Sequence, residues 1–319
     1  MIRVAILDDY FNKALEFADW SEVSKRAKIS VFNEYLKNEQ NITEALRDFE
    51  IIVGMRERTP FPRSTLRQLP NLQLLITTGG RNKSFDLEAA AEYGITVCCT
   101  GGVGSPTSEL AWGLIISLMR DIPGQLESMR KGGWQTQPGF NLANKTLGIV
   151  GLGNLGARMA KVALAFDMNV EAWSQNLTDE RAQETGAVKV SKEQLFGQAD
   201  IVTIHYGMSE RSRGMIGTAE LEAMKRSAYI VNTSRAPIID QDALYQALKT
   251  NQIAGAGLDV YMSEPLAATD RFRKLENVIL TPHIGYVTTE NHEKHYADVV
   301  ENIMQFLDGK PIRVLAAPD

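Results

Sequence analysis

Cysteine is scarce in this 319-residue chain: there are two, Cys98 and Cys99, side by side. Neighbours on a strand point to opposite faces, so the pair predicts no disulfide. Both are expected to be small buried hydrophobes of a protein in a reducing cytoplasm. Long apolar runs are missing as well. The longest, Leu110 to Met119, is too short to cross a bilayer and predicts a buried helix. No signal-peptide pattern precedes MIRVAILDDY, which enters a strand-like alternation at once. No basic run occurs, and the net charge of −5 argues against nucleic acid as the main partner. Low-complexity segments and internal repeats are also absent. What is present is an ordinary soluble composition, 44% hydrophobic and 23% charged, at a length that suits one large or two medium domains.

Short apolar runs alternate with helix-compatible stretches. Val4 to Leu7, Ile51 to Val53, Leu72 to Ile76 and Ile95 to Val97 read as strands, with helical patterns such as Thr43 to Asp48 and Asp86 to Tyr93 between them. Continuous apolar strands separated by helices predict a parallel sheet covered on both faces, hence an α/β fold. CTGGVGSPTSEL then breaks the pattern, and a helix is predicted from about Ser108 to Arg120. A second series of strands follows: Thr146 to Val150, Val170 to Trp173, Ile201 to Ile204, Tyr229 to Asn232, Gly257 to Val260 and Val278 to Leu280. That is enough for a complete doubly wound nucleotide domain. Thr289 to Leu307 predicts a closing amphipathic helix, stopped by Gly309 and Pro311.

Between the first two strands of the second series lies GLGNLG. Gly151, Gly153 and Gly156 fill the three fingerprint positions of a dinucleotide loop: tight turn, close approach to a pyrophosphate, and close helix packing. An acidic residue at the end of the next strand would hold the ribose 2′-OH and repel a 2′-phosphate. Ser174 stands there instead, followed by neutral Gln175 and Asn176. The sequence therefore permits NADP without demanding it. Arg181, on the following helix, reads as a surface residue that could fold back, and Glu171 as a solvated or helix-facing side chain.

Ligands of open α/β sheets sit at the carboxyl ends of the strands. Three late strands end in reactive residues: VNTSRAP presents Arg235, GLDVYMSEP presents Asp259 and Glu264, and VILTPHIGY presents His283. Beside a nicotinamide, this set suits hydride transfer. An arginine pairs with a substrate carboxylate and polarises the carbonyl, a histidine gives or takes the proton, and a glutamate holds the imidazole.

GLGNLG, ADIVTIHYGMSERSRGMIG, MKRSAYIVNTSRAPIIDQDALYQAL, AGAGLDVYMSEP and NVILTPHIGYVT occur in an order that resembles the D-isomer-specific 2-hydroxyacid dehydrogenases over nearly the whole chain. The resemblance implies a discontinuous flavodoxin-like substrate domain, residues 1–101 with 290–319. A Rossmann-type NAD(P) domain, residues 102–289, is inserted in it. It also implies a homodimer with the 108–120 helix at the interface, and no nucleic-acid or membrane partner. By position, Arg235, Glu264 and His283 correspond to the catalytic triad. Cofactor contacts fall on Gly151, Gly153, Asn154, Leu155, Gly156, Ser174, Thr233, Ser234, Arg235, Asp259, His283 and Gly285, within a turn that reaches Tyr286. Glu264 argues against formate oxidation, for which the family uses glutamine. Ser174 and Ala236 depart from the common aspartate and glycine.

The resemblance also assigns substrate-binding residues: Arg56 in GMRERT, Gly79 and Gly80 in TTGGRNK, and Arg235. Arg58, Arg81 and Lys83 add positive charge to the same loops. The implied activity is reduction of a small 2-keto acid to a D-2-hydroxy acid, of the hydroxypyruvate or glyoxylate reductase type. The alternative is a 3-phosphoglycerate dehydrogenase without a regulatory domain. A corepressor-like dinucleotide-binding protein is the remote alternative, and it would not need the full triad. Trp134 either packs or reaches a neighbouring subunit, and Tyr286 either walls the pocket or packs. His292 and His295 are three apart, whereas the zinc-protease pattern needs four, so no metal site is expected. His205, at a strand end, could touch the cofactor.

Overall fold

The computed structural model describes residues 1–316. The chain divides into two compact units, Met1–Val103 with Val287–Asp319, and Gly104–Tyr286.

The first unit carries β1 (Ile2–Ile6), α1 (Ser21–Arg26), β2 (Ala27–Val31), α2 (Glu39–Leu46), β3 (Ile51–Gly54), α3 (Arg63–Leu66), β4 (Leu74–Thr77), α4 (Leu87–Glu92) and β5 (Thr96–Cys99). All five strands are parallel in the order β2-β1-β3-β4-β5, the flavodoxin-like arrangement. Every residue of β3 and β4 is buried, because helices cover both faces. β2 was not apparent as an apolar run. It is an edge strand, largely half-exposed, and needs no continuous apolar sequence. Asn38 and Asp86 cap α2 and α4 by accepting from the Asn41 and Ala89 amides. Cys98 and Cys99 are both free in β5.

The second unit begins with α5 (Pro106–Arg120) and α6 (Ile122–Arg130), and continues through β6 (Thr146–Val150), α7 (Asn154–Ala165), β7 (Asn169–Trp173), α8 (Asp179–Glu184), β8 (Val188–Lys189), α9 (Lys192–Gln198), β9 (Ile201–Ile204), α10 (Thr218–Ala223), β10 (Tyr229–Asn232), α11 (Gln241–Lys249), β11 (Gly255–Leu258) and β12 (Val278–Leu280). Its parallel sheet runs β12-β11-β10-β9-β6-β7-β8. The sequence pattern missed β8, a two-residue edge strand, and placed β11 two residues late. The observed end of β11 at Leu258 puts Asp259 in the first position beyond the sheet, where ligands gather. α5 packs Ala111, Trp112, Leu114, Ile115 and Met119 into the core of this unit. α6 buries nothing.

The last helix, α12 (Thr289–Leu307), belongs to the first unit. One face of it holds the segment after β5. Asn302 Nδ2 donates to the Cys99 carbonyl at 2.9 Å, Asp298 accepts from the Gly101 amide at 2.8 Å, and Asn291 accepts from the Val103 amide at 2.7 Å. The spacing 291, 298, 302 is one helical stripe, matched to alternate residues of an extended chain. No helix among the described residues is long and apolar enough to cross a membrane.

Candidate active site

In the second unit the parallel register brings the carboxyl ends of β6, β9, β10, β11 and β12 to one edge of the sheet. β6 runs into the glycine turn. Gly151 has φ +97 and donates its amide to the Trp173 carbonyl at 2.8 Å, and a Cβ there would lie 2.6 Å from the His205 carbonyl oxygen. A Cβ at Gly156 would overlap the Gly151 carbonyl. A Cβ built on Gly153 would meet nothing within 4 Å, so that side of the backbone is open to a close-approaching group. α7 starts directly afterwards with no side-chain cap, and the amides of Asn154, Leu155 and Gly156 form its first turn with the positive end of the helix dipole.

Two buried polar atoms after neighbouring strands, Thr233 Oγ1 beyond β10 and His205 Nδ1 beyond β9, have no hydrogen-bond partner among the described residues. His205 Nε2 is 2.9 Å from Thr203 Oγ1, and burial lowers its pKa to about 4, so the ring is neutral at physiological pH. The open glycine turn, the uncapped helix and these orphaned polar atoms fit a nicotinamide dinucleotide. Ser234 has less freedom: its hydroxyl donates to the Tyr206 carbonyl at 2.6 Å and its amide to Asn232 Oδ1 at 3.0 Å.

Arg235, Glu264 and His283 follow the adjacent strands β10, β11 and β12. Glu264 is fixed at both oxygens. Oε1 accepts the Tyr261 amide at 2.9 Å, and Oε2 is 2.5 Å from His283 Nδ1. A carboxylate already accepting at one oxygen acts as acceptor at the other, so Nδ1 carries hydrogen and Nε2 is left to exchange a proton. His283 is partly exposed, with its ring edge-on to Tyr286 at 5.8 Å and 83°. Arg235 Nη1 donates to the Ser234 carbonyl at 2.8 Å, and the Arg235 carbonyl accepts from Asn232 Nδ2 at 3.1 Å, which fixes the loop that presents the guanidinium.

Asp259 organises the histidine turn. It is fully buried and accepts from Thr281 Oγ1 at 2.6 Å and from the Ile284 and Gly285 amides at 2.8 Å each. Burial pushes its pKa up, and the Thr281 and amide hydrogen bonds pull it back. The Tyr261 hydroxyl joins the ends of β11 and β12 by reaching the Leu258 and Thr281 carbonyls at 2.9 and 2.8 Å. Together these bonds hold His283 at φ +53, a left-handed conformation uncommon for a non-glycine residue.

Residues 112–285 match the family model described as D-isomer specific 2-hydroxyacid dehydrogenase, NAD binding domain. A glyoxylate reductase of Thermococcus litoralis is 36% identical over 279 residues, 84% of each chain. The chain belongs to the D-isomer specific 2-hydroxyacid dehydrogenase family. It is an oxidoreductase of that family. A D-3-phosphoglycerate dehydrogenase of Archaeoglobus fulgidus is 30% identical over 98% of this chain, which spans 58% of that relative's length. A crystal structure of a phosphoglycerate oxidoreductase from Vibrio cholerae has a TM-score of 0.92 at 33% identity, covering 97% of this chain and 100% of that one.

In the first unit of this 2-hydroxyacid dehydrogenase, Arg56, Gly79 and Gly80 come together after β3 and β4. Arg56 Nη1 lies 3.5 Å from the Thr78 carbonyl, where a Cβ on Gly79 would collide with it, and Gly79 has φ +86. The Gly79 amide is already bonded to Thr100 Oγ1 at 2.7 Å, so it is not available to an anion in this conformation. Arg56 also approaches Glu57 at 3.9 Å, the limit of an ion pair. Arg58 donates to the Asp8 carbonyl at 3.2 Å and stacks on Tyr10 at 4.6 Å. His292 and His295 are buried on α12. Trp134 does not pack within its unit: it is 71% exposed.

The structure gives a place to three residues that the sequence reading left without a role: Tyr261 and Thr281 as braces, and Arg181, which does fold back. Its Nε lies 3.4 Å from the Leu152 carbonyl in the glycine turn. Tyr261 and Thr281 each sit two or three residues from a triad member, a proximity that could have flagged them. Arg181 carries no such signal.

Proposed function

We propose that this dehydrogenase reduces a small 2-keto acid to the D-2-hydroxy acid, of the hydroxypyruvate or glyoxylate type. The observation that carries this is the 2.5 Å His283–Glu264 pair at a sheet edge whose next strand presents Arg235. The dinucleotide supplies or accepts the hydride at the carbonyl carbon. Arg235 binds the substrate carboxylate and polarises the carbonyl. His283 donates the Nε2 proton to the carbonyl oxygen on reduction and takes it back on oxidation, while Glu264 holds Nδ1–H and balances the imidazolium charge. Thr233 and the 283–285 turn, braced by Asp259, would frame the nicotinamide end, and Gly151 to Gly156 would hold the pyrophosphate.

Substrate size is read from the first unit. Arg58 is engaged with Asp8 and Tyr10, and Arg56 lies on the Gly79 loop. That supports an unphosphorylated substrate over 3-phosphoglycerate. The corepressor-like reading has no use for the held histidine.

The same dehydrogenase is proposed to act as a homodimer. α6 presents Ile122, Leu126 and Met129 at i, i+4 and i+7, and Trp134 and Phe140 follow, all of them exposed on the single chain. The apolar surface thus lies on α6 and the loop after it rather than on the core-packed face of α5.

The test is loss of nicotinamide absorbance with NADH and with NADPH on hydroxypyruvate, glyoxylate and 3-phosphohydroxypyruvate. Turnover of the first two is expected. A marked preference for the phosphorylated acid would reverse the substrate assignment, and no turnover of any keto acid would remove the catalytic reading.

A further inference from the structure

We propose that Arg181 and Ser174 form a subsite for the 2′-phosphate of NADPH, so that this dehydrogenase prefers the phosphorylated coenzyme. The inference rests on the dinucleotide reading of the glycine turn. The Gly151 amide bonds the Trp173 carbonyl at 2.8 Å, which holds the end of β7 against the turn and sets the next residue, Ser174, beside it. The Ser174 carbonyl accepts the Leu177 amide at 3.1 Å, closing a bend that leads into α8. Thr178 caps that helix, and from its first turn Arg181 Nε reaches the Leu152 carbonyl at 3.4 Å. The guanidinium is thereby held at the glycine turn, on the side from which the chain leaves β7.

The charge pattern favours an anion. Ser174 to Thr178 reads SQNLT, with no acid to bind a bare 2′-OH or repel a phosphate. The Ser174 hydroxyl has no hydrogen-bond partner among the described residues. α8 carries three acids: Glu180 is exposed to solvent, and Asp179 pairs with Lys189 at 3.4 Å. Glu184 pairs with Arg181 Nη1 at 3.2 Å, an exposed i,i+3 contact of the weak kind that a doubly charged phosphate displaces. Lys192 is committed elsewhere, to the Met215 carbonyl at 2.5 Å and Glu220 at 2.8 Å. Arg181 is thus the cation placed to meet a phosphate on the ribose, and a planar fork suits that group.

Energy transfer from tryptophan to the reduced nicotinamide, with calorimetry, gives Kd for NADPH, NADH and 2′-phospho-ADP-ribose on the intact protein, without turnover. NADPH should bind about tenfold or more tighter than NADH, and Arg181→Met should lower that affinity ratio by about tenfold. Arg181→Lys should restore part of the ratio, and Ser174→Asp should invert it. The proposal is overturned if wild-type protein prefers NADH, or if Arg181→Met leaves the ratio unchanged because it weakens both coenzymes equally or neither. Tight NADH binding with an unchanged ratio removes the phosphate subsite alone. Failure of every dinucleotide to bind removes the reading of the glycine turn as well.

Discussion

Asparagine in place of Asp259 tests whether one buried carboxylate holds the catalytic turn. Asp259 accepts three hydrogen bonds, from Thr281 Oγ1 and from the Ile284 and Gly285 amides, with no solvent to replace them. Asparagine keeps one acceptor oxygen and places an NH2 where the other stood. With its oxygen toward Thr281 and Ile284, the Gly285 amide faces a second donor. Rotation of the side chain strands the Ile284 amide instead and leaves the Thr281 hydroxyl to accept from the new NH2. One stranded buried N–H costs about 1–3 kcal/mol, and the two surviving bonds lose their charge assistance, together about 1 kcal/mol more. Relief from burying a charge, the same burial that raises the Asp259 pKa, returns part of this. A net loss of about 2 kcal/mol lowers Tm by about 4–8 °C in a domain of this size. The turn carries His283 at φ +53, and displacement of a catalytic group by about 1 Å costs about 100-fold, so kcat should fall by about 10–100-fold. Thermal melts, steady-state kinetics and coenzyme titration on Asp259→Asn read all three quantities. A Tm within about 1 °C of wild type, with kcat unchanged, would refute the clamp. A large rise in coenzyme Kd with no loss of stability would instead assign Asp259 to the coenzyme.

His283→Ala should lower kcat by about 10²–10⁴-fold while the dinucleotide still binds; full retained turnover would sink the proton-transfer role. Glu264→Gln sets a donor against Nδ1 and should cost about 100-fold or more in kcat with little change in coenzyme affinity, which kinetics and titration separate. Gly151→Ala meets the His205 carbonyl at 2.6 Å in a left-handed conformation, so soluble yield and Tm should both drop; an unchanged melt would contradict the close approach. Burial lowers the His295 pKa to about 3, and the charges of Arg56 and His292 act in the same direction. The imidazole is therefore neutral when folded, and its contribution is fully present above the unfolded value near pH 6.5. It is lost as pH falls from there toward 3, at up to about 1.4 kcal/mol per pH unit. Urea denaturation from pH 7 to pH 5 should show a shallower loss for His295→Gln than for wild type, and parallel slopes would contradict the buried neutral ring.

The repeating beat of apolar strands and helices was legible because a parallel sheet buried on both faces needs continuous runs of Val, Ile and Leu. β3, β4, β6, β7, β9, β10 and α12 therefore stand out as periodic segments. Edge strands escape this logic: β2 and β8 are exposed on one side and carry no continuous apolar signature. Arg235, Glu264 and His283 were legible for a related reason. Ligand chemistry collects where strands end, and a strand end can be located in a chain read one residue at a time.

Other properties depend on pairs distant in sequence. Asp259 as the brace of the histidine turn depends on meeting residues 22 to 26 positions away. That the Gly79 amide is already bonded depends on Thr100, 21 residues on, and that Arg181 lies at the glycine turn depends on Leu152, 29 residues back. The sequence by itself determined the two α/β sheets, the glycine turn and the placing of Arg235, Glu264 and His283 after successive strands, because each is encoded by local periodicity or by the residue that ends a strand. Which polar groups satisfy one another, and which remain for a ligand, was decided only by the tertiary structure. A hydrogen bond is a relation between two positions, and folding alone chooses its partner.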